Sequence, residues 1–271
     1  MSKKYLILAG IGLLPALAPA ASFTFNEHDA LLVFRQTGSA NLEVNIGSVD
    51  NFVNAAPGTT LNLGQYTPQQ LSTAFSSLDS LNWTVVSGVR AGFGDTTTPN
   101  NTLFLTRART DVDVQTSFIQ RKANSTQGTI VSAIHGVAGN GSIAGAKPWS
   151  AGTPADPIFN TSSAVIIPFA DPNSYTSLAG DTGNLNGTFA QGTVENTTPT
   201  SFAGFTRSDF YELKPGSGNG IYLGHFDFDS TGAFSFTAVP EPGVPALAFG
   251  GLLLSAVWYL RQRRQASTNP K

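Results

Sequence analysis

Apolar and polar residues alternate with a period of two along much of this chain, the signature of strands that bury one face. Asp29-Ala30-Leu31-Leu32-Val33-Phe34-Arg35 is followed, after Gln36 to Ala40, by Asn41-Leu42-Glu43-Val44-Asn45-Ile46. The second run puts Leu42, Val44 and Ile46 on one face and Glu43 and Asn45 on the other, which predicts a half-buried strand. Gly38 in the gap suits a hairpin turn, and Pro57-Gly58 marks another turn. Further strands are predicted over Asn82 to Val89, Thr102 to Thr106, Ser163 to Phe169, Gly187 to Glu195 and Ser208 to Leu213. Pro168 limits its strand to a strand end or a sheet edge. The clearest pattern is the last hairpin. Tyr222, Phe226 and Phe228 share one face with Phe234 and Phe236 across the turn Asp229-Ser230-Thr231-Gly232, and Leu223, His225, Asp227, Ser235 and Thr237 face the other way.

Helical periodicity is confined to two places. Thr67-Pro68-Gln69-Gln70 is a helix start: Thr67 caps, Pro68 suits the first turn, and Gln70 completes a capping box. Leu71, Phe75 and Leu78 then form one stripe, so a short helix is expected to about Ser80. Ile130, Ile134 and Val137 recur at helical spacing and predict a second helix from about Ser125 to Val137. Gly92 to Asn101 reads as a loop, and Gly139 to Asn160, rich in Gly, Pro and Ala, as a long surface loop. The expected fold is mainly β: an antiparallel β-sandwich or jelly-roll-like body with one or two short helices, over residues 21–238.

Both ends of the chain follow other rules. Lys3 and Lys4 precede an apolar stretch from Tyr5 to Leu17, and Ala18-Pro19-Ala20 offers a small-residue cut before Ala21, or one residue later before Ser22. That order is a signal peptide over residues 1–20. At the other end, Val239-Pro240-Glu241-Pro242-Gly243 leads into an uncharged apolar run from Val244 to Leu260, closed by Arg261, Arg263 and Arg264. Pro240 and Pro242 hold Glu241 on an extended segment that no helix can absorb. As a helix the apolar run reaches roughly 25 Å, enough to span a bilayer with snorkelling ends. Trp258 and Tyr259 lie where an aromatic belt sits, and the arginines are expected on the cytoplasmic side.

This order of motif, span and basic stop, over residues 239–265, resembles the PEP-CTERM sorting tail of exported bacterial proteins. The resemblance implies that an exosortase-type membrane peptidase recognises Pro240, Glu241 and Pro242 and cuts nearby. The body would then be released or joined to the cell surface, with exopolysaccharide as a further partner. The strings DALLVFRQTG, TLFLTRART and GHFDFDSTGAFSFTAVPEP also resemble stretches of exported proteins that carry this tail, and they imply no activity. A plain C-terminal membrane anchor is the simpler alternative.

Removing these ends changes the charge. Six of the 15 Lys and Arg lie in them, so the body before Glu241 carries 9 basic against 16 acidic residues, a net charge of −7. An acidic body lacks the clustered Lys and Arg that nucleic acid or anionic lipid requires. Cysteine is absent, which rules out disulfides, thiolate nucleophiles and thiolate metal sites; stability must come from burial. Nineteen Phe provide much of the core.

Candidate chemistry is sparse. Asp227-x-Asp229-x-Thr231-Gly232 opens like a calcium loop, but the twelfth position is Ala238 where a Glu is needed, so a polar hairpin turn is expected. His28, His135 and His225 have no ligand spacing, and no metal or cofactor is expected. Asp111 and Asp113 are a carboxylate pair only if a strand brings them to one side; solvated turn charges are the simpler reading. No catalytic residue is assigned. The expected function is a non-enzymatic exported protein, membrane-anchored before processing and then at the cell surface or outside the cell. The alternatives are a glycan-binding module, with Trp83, Trp149 or Tyr175 stacking on sugar, and a hydrolase on the same fold.

Overall fold

A computed structural model describes residues 23–146, 161–168, 171–172, 174–179, 185, 188–189 and 194–239; the two predicted membrane-directed ends, with Ala18, Ala20, Ala21, Pro240, Glu241, Pro242, Arg261, Arg263 and Arg264, lie outside them, as does Trp149. Among the described residues no helix is long and apolar enough to cross a membrane.

The described chain is mainly antiparallel β. Its strands are β1 (Asp29–Arg35), β2 (Ala40–Ser48), β3 (Thr60–Leu63), β4 (Asn82–Gly88), β5 (Leu103–Ala108), β6 (Ala164–Pro168), β7 (Asn196–Thr197), β8 (Phe205–Leu213), β9 (Ile221–Asp229) and β10 (Phe234–Ala238). The helices are α1 (Asp50–Val53), α2 (Pro68–Ala74), α3 (Asn124–Ala146) and α4 (Tyr175–Ala179). Nine strands run in one hydrogen-bonded order, β3-β10-β9-β8-β5-β4-β1-β2-β6, and β7 pairs with β4 off that path. The expected sandwich of two sheets is therefore replaced by one continuous sheet that curls over on itself.

Aromatic contacts show the curl. Phe34 on β1 lies 4.9 Å from Phe228 on β9 and 6.1 Å from Phe234 on β10, ring centre to ring centre. In a flat sheet those strands would be roughly 19 and 24 Å apart. The inner face thus closes around one core of Leu, Val and Phe side chains, into which α1 inserts Phe52 and α2 inserts Leu71 and Phe75. Phe52 packs edge-on against Phe226 and Phe236 at 5.4 and 5.0 Å. At the rim, Ser163 Oγ donates to the Gln65 carbonyl at 2.9 Å, drawing the two ends of the sheet together. A second core covers the outer face of the sheet, with Ile130, Val131, Ile134 and Val137 of α3 and the N-terminal Phe23 packed on Leu31, Val33, Val86, Leu105 and Val165. Gly88 permits this approach, since a Cβ there would stand 2.6 Å from Val131 Cγ2.

Local chemistry explains where elements begin and end. The capping box forms as expected: Gln70 N donates to Thr67 Oγ1 at 3.1 Å and Thr67 N to Gln70 Oε1 at 2.8 Å. The helix stops at Ala74 rather than near Ser80, because Phe75 turns extended (φ −134, ψ 135) and drops into the inner core. Conversely, α3 runs on to Ala146, through the start of the expected loop. Of the expected strand from Gly187 to Glu195, the described residues 188–189 and 194–195 are not in strand; the described chain next pairs at β7. Glu43 faces outward from β2 as expected, but the outer core buries it completely, so the strand is not half-buried.

The last hairpin carries a further correction. Ser235 pairs with Asp227 and Phe236 with Phe226 as the alternation requires. The β8–β9 register slips by one between Phe210↔Gly224 and Tyr211↔Tyr222. That bulge turns Tyr222 to the outer core, away from Phe226 and Phe228, and turns Leu223 inward. Gly224 (φ +155) is required there: a Cβ would collide with the Thr237 carbonyl and lie 2.7 Å from Phe236 Cζ. Gly224→Ala is expected to lower stability by roughly 1–3 kcal/mol through overpacking. A urea titration showing an unchanged midpoint would contradict this account of the bulge.

Candidate functional site

The sheet is split between β4 and β5, and the split organises its outer polar groups. The two strands pair only over Val86–Gly88 and Leu103–Leu105. Beyond Val86, the segment from Val194 to Thr198 enters the gap. Val194 O accepts from Thr84 Oγ1 at 2.9 Å and Thr106 Oγ1 at 3.0 Å, while Thr106 Oγ1 accepts from Val85 N at 3.1 Å. Asn196 Nδ2 reaches Arg207 O at 2.7 Å and Ser208 Oγ at 3.0 Å. Side chains thus replace the ladder bonds that the split strands cannot make to each other.

This wedge delivers Glu195 onto Arg35 of β1. Arg35 Nε and Nη2 donate to the two carboxylate oxygens at 2.8 and 2.6 Å, and both side chains are almost wholly buried. Burial raises the Glu195 pKa against the pull of Arg35. On the neighbouring strand β2, Glu43 Oε1 accepts from Tyr175 N at 2.7 Å, and Asn41 exchanges hydrogen bonds with Thr176 at 3.2 Å. These contacts dock α4 on the sheet. Glu43 Oε2 and the Tyr175 hydroxyl are buried without a hydrogen-bond partner. Burial pushes the Glu43 pKa up to about 8, with the Tyr175 amide lowering it and Asp171 raising it further; the Tyr175 phenol is pushed up by burial as well. The cluster therefore combines one carboxylate paired with a guanidinium and one without a cationic partner among the described residues, and burial raises the pKa of both.

A second polar group lies on the outer face of β8 and β9. Arg109 bonds Asp209 at 2.6 and 2.8 Å, the Val112 carbonyl at 2.7 Å and the Tyr222 hydroxyl at 3.0 Å. Thr116 N donates to Asp209 Oδ2 at 2.6 Å, and the Tyr211 hydroxyl donates to Thr116 O at 3.1 Å. These bonds hold residues 109–119 as a strap across the sheet. Beside it Arg207 grips Asp227 at 2.7 and 2.9 Å, and His225, whose pKa burial lowers, stands 3.8 Å from the same carboxylate.

Several expected roles are reassigned by these positions. Trp83 is wholly buried in the inner core, where its Nε1 donates to Thr206 Oγ1 at 3.0 Å, and Tyr175 is buried in the outer one. Neither can stack on a sugar. Asp111 and Asp113 sit in an exposed turn, Asp113 N donating to Asp111 Oδ1 at 3.0 Å, so they form no facing pair. Asp229 Oδ1 accepts from Thr231 N, Thr231 Oγ1 and Ala233 N at 2.8, 2.6 and 3.0 Å. With Asp227 held by Arg207, the Asp227–Gly232 stretch is a hairpin turn and not a cation loop. His28 and His135 contact the Phe93 and Gly88 carbonyls at 3.3 and 2.8 Å, far from His225 in the fold's wiring. Among the described residues no group of three His, Asp or Glu side chains could hold a metal ion. The buried cluster of Arg35, Glu43, Tyr175 and Glu195 was not foreseen; an acid in an alternating strand ordinarily signals a solvated face.

Comparison of the chain with protein-family models, with curated proteins and with solved structures found no match in any of the three.

Two outcomes follow from the buried carboxylates. Because the folded Glu43 pKa is raised to about 8 from 4.5, its stabilisation is complete below the unfolded value and is lost as pH rises toward the folded one. Glu43→Gln stays neutral throughout, so its stability relative to the parent should grow between about pH 5 and pH 8, by roughly 1.4 kcal/mol per pH unit. Denaturant titrations at several pH values with parallel curves for the two proteins would disprove it. Arg35→Met leaves the buried Glu195 carboxyl without its partner and should cost roughly 3–5 kcal/mol, much of it recovered in Arg35→Met with Glu195→Met; thermal melts of the single and double variants compare the two.

Proposed function

We propose that this chain is an exported, non-enzymatic surface protein, directed by its signal peptide and addressed by its C-terminal tail to an exosortase-type peptidase. The tail would hold the body at the membrane until cleavage near Pro240-Glu241-Pro242. The body, a curled sandwich-like roll, would then stay on the cell surface or leave the cell. The observation that carries this reading is the order of signals in the sequence: a Pro-bracketed acid, an uncharged span over residues 244–260, and Arg261, Arg263 and Arg264. The position of the last strand supports it. β10 ends at Ala238, two residues before Pro240, so a cut at the motif leaves every strand of the sheet intact. The titratable clusters are also consistent with a structural role, since their members are tied to one another and to backbone.

Mass spectrometry of the exported protein tests the assignment. The expected N-terminus is Ala21 or Ser22 and the expected C-terminus lies near Glu241 or Pro242. Recovery of the exported form with Arg264 still attached would reduce the tail to a plain anchor. Glu241→Ala is expected to accumulate the uncut form, visible as a membrane-bound species heavier by the mass of the tail.

A further inference from the structure

The outer face of β9, β10 and the edge strand β3 carries a groove of about 490 Å³ that none of the roles above uses. Its origin is a size pattern. Where β10 lies between β9 and β3, Ala233 just before it and Ser235 on it present small side chains outward, flanked by Asp227 and Asp229 on β9 and by Asn62 and Gly64 on and just after β3. Small residues on the middle strand, with the longer Asp227, Asp229 and Asn62 beside them, make a trough along the strand direction. Tyr66 and Pro68, at the start of α2, line it as well. Tyr66 is fixed by its hydroxyl donating to the Gly232 carbonyl at 2.7 Å, and the turn that contains Gly232 is held by Asp229, so this end of the trough is built on rigid elements.

The lining defines the ligand. Among the described residues it contains no Lys, Arg or His, so phosphate, sulfate or uronate would meet carboxylates without a counter-charge. It does not offer a strong cation site either, because Asp227 is neutralised by the bidentate Arg207 and Asp229 Oδ1 is occupied by three turn donors. What remains is an acceptor-rich strip with a hydroxyl (Ser235) and an amide (Asn62), beside exposed apolar lining from Pro68 and Ala233. A ligand that matches has many hydroxyl donors, no charge, and C–H faces to lay on the apolar lining. Its volume is in the range of ordinary ligand sites. We propose that this trough binds a neutral oligosaccharide chain through Asn62, Asp227 and Ser235. The assignment is separate from the sorting reading, which depends on the two ends of the chain.

The test is a titration of the isotope-labelled exported protein with maltohexaose, cellohexaose and laminarihexaose, followed by amide NMR shifts, with hexagalacturonate and spermine as charged comparators. At least one neutral oligosaccharide is expected to move the amides of Asn62, Gly64, Ala233 and Ser235. Ser235→Leu, which fills the trough from its floor, should weaken that binding by about tenfold or more, and Asn62→Ala should weaken it to a smaller degree. The unchanged remainder of each variant's spectrum reports that it is folded. The proposal is overturned if no neutral oligosaccharide shifts these amides, if only a charged comparator does, or if Ser235→Leu binds as tightly as the parent. None of these outcomes bears on where the tail is cut.

Discussion

The fold depends on aromatic side chains meeting across the inside of the curled sheet. Phe34 and Trp83, on adjacent strands β1 and β4, touch Phe228 and Phe234 on the last hairpin, with Trp83 and Phe234 5.3 Å apart. No single hydrogen-bonded pair of strands requires this. An open sheet of nine strands would satisfy its ladders while leaving the rings in water. Burying each large side chain is worth on the order of 2 kcal/mol or more, and edge-on ring pairs add to that. The curl is the geometry that collects these terms. It also explains the small helices: α1 and α2 fill the interior of the roll with Phe52, Leu71 and Phe75, where strands alone would leave space.

The outer layer is held differently. Its apolar part is α3 with Phe23, Ile119, Tyr175 and Val194 on the sheet, and polar groups tie the irregular cover down as well: Glu43 to α4, Glu195 to Arg35, and Arg109 and Asp209 to the strap. Such contacts contribute little net stability, because desolvation offsets much of their attraction. They do fix geometry, since a misplaced cover would leave buried charges and donors without partners. In a chain without cysteine, this is one way to hold irregular segments against a sheet. The split between β4 and β5 belongs to the same logic. A two-residue strand could not compete with a full ladder on backbone bonds alone, and Thr84, Thr106 and Asn196 supply the rest.

How far the sequence revealed this depends on the scale of each signal. Apolar runs and, in β2, β9 and β10, period-two alternation located β1, β2, β4, β5, β8, β9 and β10, and the capping box at Thr67 and Gln70 was readable because it needs only four consecutive residues. Pro168 correctly marked β6 as a strand at the sheet edge. What escaped notice was decided between distant segments. Alternation assigned Glu43 to solvent, since it cannot see the 132 residues that separate it from the Tyr175 amide. Glycine and alanine after Val137 read as loop, yet α3 continues through them. Tyr222 was placed with Phe226 because a strict period has no place for the bulge at Gly224, whose cause lies on another strand. The buried cluster was invisible for the same reason, and Trp83, an attractive exposed platform on paper, is a core residue.

One strand concentrates these constraints. In the five residues of β10, Phe234 and Phe236 enter the inner core, Ser235 and Thr237 face outward, and Ala238 closes the strand beside Thr59. Because side chains alternate, a slip of one residue would exchange the two sets, exposing the rings and burying the hydroxyls. The register is therefore fixed twice: by the Asp229 turn at one end, and by Gly224 against Thr237 near the other. The Pro-Glu-Pro segment begins two residues later. The strand from which that segment continues is paired on both sides, to β9 and to β3, so its register does not depend on the residues that follow it.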